Sequence, residues 1–203
     1  MKIHTLPLGM LQANCYVLHC DGSAACIVID PGDDPRQLLG WLKEHALQPE
    51  AVLLTHRHFD HVGAVQAVKE AYSCPVYMHP GDVPYPAGIP FGADHCTHTL
   101  ADGQTLSLAG IAVQVLHTPG HSEGCVCFLV DDAHLFTGDT LFADACGRVD
   151  FTGSSPAKMQ QSLQRLASLE GSLRVYPGHG PATTLAREKQ YNPYLSNNLK
   201  GML

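Results

Sequence analysis

The sequence predicts a layered α/β domain built on mixed sheets. Strand–helix units stand near both ends of the chain, strand pairs joined by tight turns fill the middle, and Gly, Pro and Asp mark the joins. The 203 residues suffice for one domain with a sizeable core, since a chain of this length buries roughly 70% of its extended surface. No repeat, low-complexity tract or linker divides it, so residues 1–203 read as a single domain.

Asn14–Cys20 and Ala25–Asp30 are expected to pair as strands around Asp21-Gly22-Ser23, with Asp30-Pro31-Gly32 ending the second. Residues 35–46 read as a helix: Asp34 can cap it, Pro35 suits its first turn, and Leu38, Leu39 and Leu42 share a face. Residues 51–55 form a short buried strand, residues 62–72 have helical spacing, and residues 75–78 are strand-like. Two hairpins follow, 105–108 with 111–116 around Ala109-Gly110 and 124–130 with 134–137 around Asp131-Asp132. Ser155 caps a helix opened by Pro156, with Met159, Leu163, Leu166 and Leu169 along one side, and residues 173–176 make a last strand. Periodicity leaves open whether these strands form one sheet or two.

Composition narrows the function classes. The net charge is −7, from twelve Lys and Arg against nineteen Asp and Glu, and no basic cluster stands out. Nucleic-acid binders need a basic surface to displace phosphate counterions, so nucleic acid is not an expected partner; a small-molecule substrate is. No apolar run approaches the ~20 residues that span a bilayer, and the start, Met1 to Pro7, lacks the apolar stretch of a secretory signal. A cytosolic protein is expected. The eight cysteines then read as reduced, small packing residues; Cys15, Cys20, Cys26, Cys125 and Cys127 lie in apolar strand-like runs.

The chemistry concentrates in Thr55-His56-Arg57-His58-Phe59-Asp60-His61, directly after a strand-like run. While the chain stays extended, residues i and i+2 point the same way, so His56 and His58 can grip one metal. Past the turn, Asp60 and His61 can begin a second site. His121, Asp139 and His179 each follow a strand-like run in a small-residue turn, where a loop can present a ligand from a rigid scaffold. Histidine and carboxylate without thiolate suit zinc, and equally manganese or iron(II). If the two oxygens of Asp139 bridge, His56, His58 and His121 hold one divalent ion, and Asp60, His61 and His179 hold the other.

This seven-residue pattern resembles that of the metallo-β-lactamase superfamily, as do the Asp30-Pro31-Gly32 turn and the Thr118-Pro119-Gly120-His121 loop. The resemblance implies an αβ/βα four-layer sandwich with two metals at one edge. Within the superfamily, residues 136–142 with Cys146-Gly147-Arg148 are similar to glyoxalase II, a hydrolase of S-lactoylglutathione, in its compact single-domain form. That likeness implies a glutathione thioester as substrate, with Arg148 binding its glutathione part. Residues 146–151 also resemble persulfide dioxygenases, iron enzymes acting on a glutathione conjugate. A lactonase or β-lactamase, or a non-catalytic metal-binding module, is a further alternative. In the hydrolase, Asp60 is expected to accept the hydrogen of a metal-held hydroxide and aim its lone pair at the carbonyl carbon. A thiolate, whose thiol has a pKa of about 8.5, leaves without a strong general acid.

The other histidines carry blander expectations. His4, His19, His45, His95, His98 and His134 lack ligand spacing; His79 and His117 are candidates to support a ligand beside an ordinary structural reading. Pro84 to Gly92 reads as a structured loop near the mouth of the site.

Overall fold

The computed structural model describes residues 1–83 and 95–195; the expected loop from Pro84 to Gly92 lies outside them. The first sheet takes β1 (Lys2–Leu8), β2 (Ala13–His19), β3 (Ala25–Ile29), β4 (Gln48–Leu53), β5 (Val76–Met78) and β6 (His98–Thr99) in sequential order. Its first two pairings are antiparallel and the rest parallel. The second sheet contains β7 (Thr105–Leu108), β8 (Ile111–His117), β9 (Val126–Val130), β10 (His134–Gly138), β13 (Arg174–Pro177) and β14 (Thr183–Thr184). Its order is β14-β13-β10-β9-β8-β7, with only β10 and β13 parallel. A small hairpin, β11 (Leu141–Phe142) with β12 (Ala145–Cys146), stands apart.

Three apolar clusters show how the layers stack. Cys26 and Val28 of β3 face one side with Val17 and Val52, against Leu38 and Leu42 of α1 (Pro35–Glu44) and Val65 and Val68 of α3 (Val65–Tyr72). Ile27 and Ile29 face the other side, where they meet Val113, Val115, Phe128 and Phe136 of the second sheet. The outer face of that sheet packs Cys127, Leu135 and Val175 on Met159, Leu163 and Leu166 of α4 (Pro156–Ala167). Strand residues alternate between faces, so this division is the αβ/βα four-layer sandwich that the resemblance implied.

The helix caps match the sequence. The Asp34 side chain accepts from Gln37 N at 3.2 Å and the Ser155 side chain from Lys158 N at 3.3 Å, each satisfying a first-turn donor. The helix expected over 62–72 is instead two, α2 (Phe59–Val62) and α3. They part because the chain there is pressed onto the Asp30-Pro31-Gly32 turn: Ala64 N bonds Pro31 O at 3.0 Å, and a Cβ on Gly63 would stand 2.3 Å from Gly32 O. Strand β1 was not foreseen, since Pro7 interrupts its alternation. Proline is tolerated on an edge strand, where β1 lies. No helix among the described residues is long and apolar enough to cross a membrane.

Candidate metal centre

Each of the seven expected residues follows a strand and lies at one edge of the sandwich. Residues 56–61 follow β4, His121 follows β8, Asp139 follows β10 and His179 follows β13. The chain is still extended at His58 (φ −65°, ψ 147°) and turns into α2 at Phe59, which carries Asp60 and His61. Donor atoms of His56, His58 and His121 lie within 4.8 Å of one another, as do those of Asp60, His61 and His179. Asp139 joins the two groups, with Oδ1 3.4 Å from His61 Nε2 and Oδ2 3.3 Å from His121 Nε2 and 3.8 Å from His179 Nε2. Gly178 permits this approach, because a Cβ there would stand 2.2 Å from Asp139 Oδ1.

Hydrogen bonds behind the rings decide which nitrogen carries a proton. His61 Nδ1 lies 3.0 Å from Asp30 Oδ2, and His121 Nδ1 lies 2.8 Å from the carbonyl oxygen of Arg148. Both partners only accept, so each Nδ1 donates and each Nε2 faces inward, where a cation would displace any proton and take the lone pair. Thr55 Oγ1 donates to Asp30 Oδ2 at 2.6 Å and can therefore accept from His56 Nδ1 at 3.0 Å. Asp30 is thus an orienting carboxylate for two rings. Its oxygens also bring it within 4.8 Å of His56 and His61 donor atoms, but both are already engaged, by Thr55 N on Oδ1 and by Thr55 Oγ1 and His61 on Oδ2.

The donor set fits bound cations. His56 Nε2 and Asp139 Oδ1 are buried with no hydrogen-bond partner, a cost a protein rarely accepts without a ligand. His58 Nδ1 and His121 Nε2 face each other at 2.7 Å. Burial, then the charges of His61, His121 and His58, pull the His56 pKa well down. Burial and His121 bring His58 to about 4, so both are neutral ligands at pH 7. Burial opposes the ionisation of Asp139, but His61, His121 and His179 outweigh it and hold the carboxyl at about 2. Asp60 is also held low: burial raises it, and the bond to His179 Nε2, 3.2 Å away, overcomes that.

A cavity of about 460 Å³ opens over the centre. Asp60, Asp139, His58, His121 and His179 form its floor, while Leu11, Phe59, Phe142 and Phe151 supply apolar walls. Arg148 reaches the same cavity, but its Nε and Nη2 donate to Asp150 at 2.9 and 2.8 Å, and its guanidinium lies 4.4 Å above the Phe151 ring. Arg148 thus lines the cavity with its fork already engaged.

Several supporting residues were not foreseen. Buried Asp82 accepts from Arg57 N at 3.0 Å, Ser122 Oγ at 2.6 Å and Gly124 N at 2.7 Å, tying the first ligand string to the His121 loop. Asn14 Nδ2 donates to the carbonyls of Pro177 and Gly180, and the Tyr16 hydroxyl to that of Pro177, pinning the His179 turn across the sheets. An acid directly after an apolar run signalled Asp30; nothing local marked the others. His79 and His117, the two candidates for supporting a ligand, take the structural role instead. They stack on each other at 4.0 Å, and His117 Nε2 bonds the carbonyl of Glu123.

The model of the metallo-β-lactamase superfamily matches residues 8–179, and the chain belongs to that superfamily. It is 35% identical to the probable metallo-hydrolase YqgX of Bacillus subtilis, over 97% of this chain and 98% of that one. The structure of BLEG-1, a B3 metallo-beta-lactamase, superposes with a TM-score of 0.89 at 37% identity, covering 97% of this chain and 100% of that chain. That of TTHA1623, in a di-iron-bound form, gives 0.81 at 39% identity over 95% and 100%. The superfamily makes the protein a metal-dependent hydrolase in class.

Proposed function

We propose that the protein is a dinuclear metal-dependent thioester hydrolase acting on a glutathione thioester such as S-lactoylglutathione. The position of Asp139 carries the reading, its carboxylate standing between the two groups of ligands. Two divalent ions bound there, zinc in this reading, would lower the pKa of a bound water from about 15.7 to about 7 and polarise a carbonyl oxygen. Asp60, ionised and lining the cavity, accepts a hydrogen bond from the attacking hydroxide and aims its lone pair at the carbonyl carbon. The residues behind the rings keep the imidazole lone pairs inward, so little rearrangement is needed when the site fills. Besides Asp60 and Asp139, no carboxylic acid is found among the described lining residues. That favours a thiolate leaving group, which needs no strong proton donor, over an amine.

Hydrolysis of S-lactoylglutathione by zinc-loaded protein, followed by loss of thioester absorbance, tests the proposal. Turnover is expected, and is expected to vanish on chelation. Turnover of β-lactams or lactones with none of thioesters would overturn the substrate class. A second reading, a mononuclear iron persulfide dioxygenase, has support from the 146–151 string. Oxygen uptake with glutathione persulfide by iron-loaded protein, without thioester turnover, would favour it.

A further inference from the structure

We propose that His4 and His19 form a second, outlying site for a divalent transition ion of the copper(II) or nickel(II) kind. Fifteen residues separate the two in sequence, and neither has ligand spacing. Pairing of β1 with β2 sets His4 opposite Val17 and Lys2 opposite His19, so the two histidines are diagonal neighbours on one face. Their rings lie parallel within 3°, and their Nε2 atoms come to 3.1 Å. Metal–imidazole bonds of about 2.0–2.1 Å put two neighbouring nitrogens of a four-coordinate ion about 2.9–3.4 Å apart, which spans the observed separation.

The protonation pattern suits a ligand pair. His19 Nδ1 lies 3.1 Å from the Cys20 carbonyl, an acceptor only, so it donates and leaves the lone pair on Nε2. Without an ion, His4 must supply a proton from its own Nε2 to make the 3.1 Å contact. A cation displaces that single proton and takes both lone pairs. Imidazole ligands favour late first-row ions, with copper(II) bound most tightly. Both rings are half-buried, leaving the remaining positions to water.

The pair is separate from the main centre. Asn14, which anchors the His179 turn, stands five residues before His19 on β2, a span of about 17 Å at strand rise. An ion bound by His4 and His19 would clamp edge strand β1 to β2 and so stabilise the fold by mass action.

Trp41, the one tryptophan of the chain, lies 4.9 Å from the His4 ring and reports on the site without reference to activity. In protein already loaded at the main centre, copper(II) is expected to quench Trp41 fluorescence saturably and raise the melting temperature. His4→Ala and His19→Gln are expected to weaken the quenching midpoint by about tenfold or more and to abolish the added thermal stability. His19→Gln leaves the ring beside Trp41 in place, so a loss there cannot be ascribed to a disturbed reporter. Thioester turnover should be unchanged in both variants. Equal quenching in wild type and variants, or none up to about 1 mM copper(II), would overturn the proposal.

Discussion

Asp30 Oδ2 stands 3.0 Å from His61 Nδ1 while also accepting the Thr55 hydroxyl, so one carboxylate orients a ring in each half of the metal centre. His61 is a direct contact and His56 is reached through Thr55. Replacing Asp30 by Asn leaves the shape but puts an NH₂ group where one of these donors needs an acceptor. Losses of 10–100-fold in metal affinity, on the order of 1.4–2.8 kcal/mol, are expected. Calorimetric zinc titration measures this directly. Activity should return when excess zinc is supplied, whereas an Asp30 serving only to pack the turn would leave affinity untouched.

The engagement of Arg148 by Asp150 gives a pair of opposing predictions. If Arg148 receives a glutathione carboxylate, Arg148→Ala raises KM for S-lactoylglutathione by about tenfold and hardly alters a small neutral thioester. Asp150→Asn frees the fork and removes a competing negative charge, so KM for the glutathione substrate should fall. Equal losses on both substrates in Arg148→Ala would assign the residue to support of its loop, whose carbonyl already orients His121.

Glu188 is fully buried on α5 (Leu185–Tyr191), and it accepts from Thr183 Oγ1, Asp144 N, Arg187 Nη1 and Asn192 Nδ2. Burial raises its pKa, but these bonds outweigh burial and leave it below the ordinary value. A folded-state pKa depressed in this way adds stability above the unfolded pKa, and that stability is lost as pH falls through the folded value. Glu188→Gln is expected to cost about 1–3 kcal/mol at pH 7 and less below pH ~4. Urea denaturation at the two pH values checks the sign. A difference that grows on acidification would contradict it.

Most of the candidate metal centre was legible because its proposed ligands are local or announced by turns. Residues 56–61 form one string, and His121, Asp139 and His179 each sit behind a glycine. What supports them is long-range: Asp30 acts 25 and 31 residues away on Thr55 and His61, and Asn14 acts 163 residues away on Pro177. The two sheets stayed unresolved because β3 is apolar on both faces, so its periodicity carries no direction. Helix α5 was missed because a buried face of Leu185 and Glu188 reads as polar in sequence. It nonetheless braces the site, since Asn192 just beyond it donates to the carbonyls of Phe142 and Ala145 in the hairpin between Asp139 and Arg148.

The bridging position of Asp139 is the centre of this account, and metal stoichiometry tests it most directly. Protein loaded with excess zinc and freed of loose metal should carry two ions per chain by plasma mass spectrometry. Asp139→Asn should lose at least one of them and about 10²-fold in turnover, a barrier increase on the order of 2.7 kcal/mol. A single tightly bound ion in the wild type under saturating metal, or an Asp139→Asn variant with full metal content and near-normal rate, would contradict the dinuclear centre.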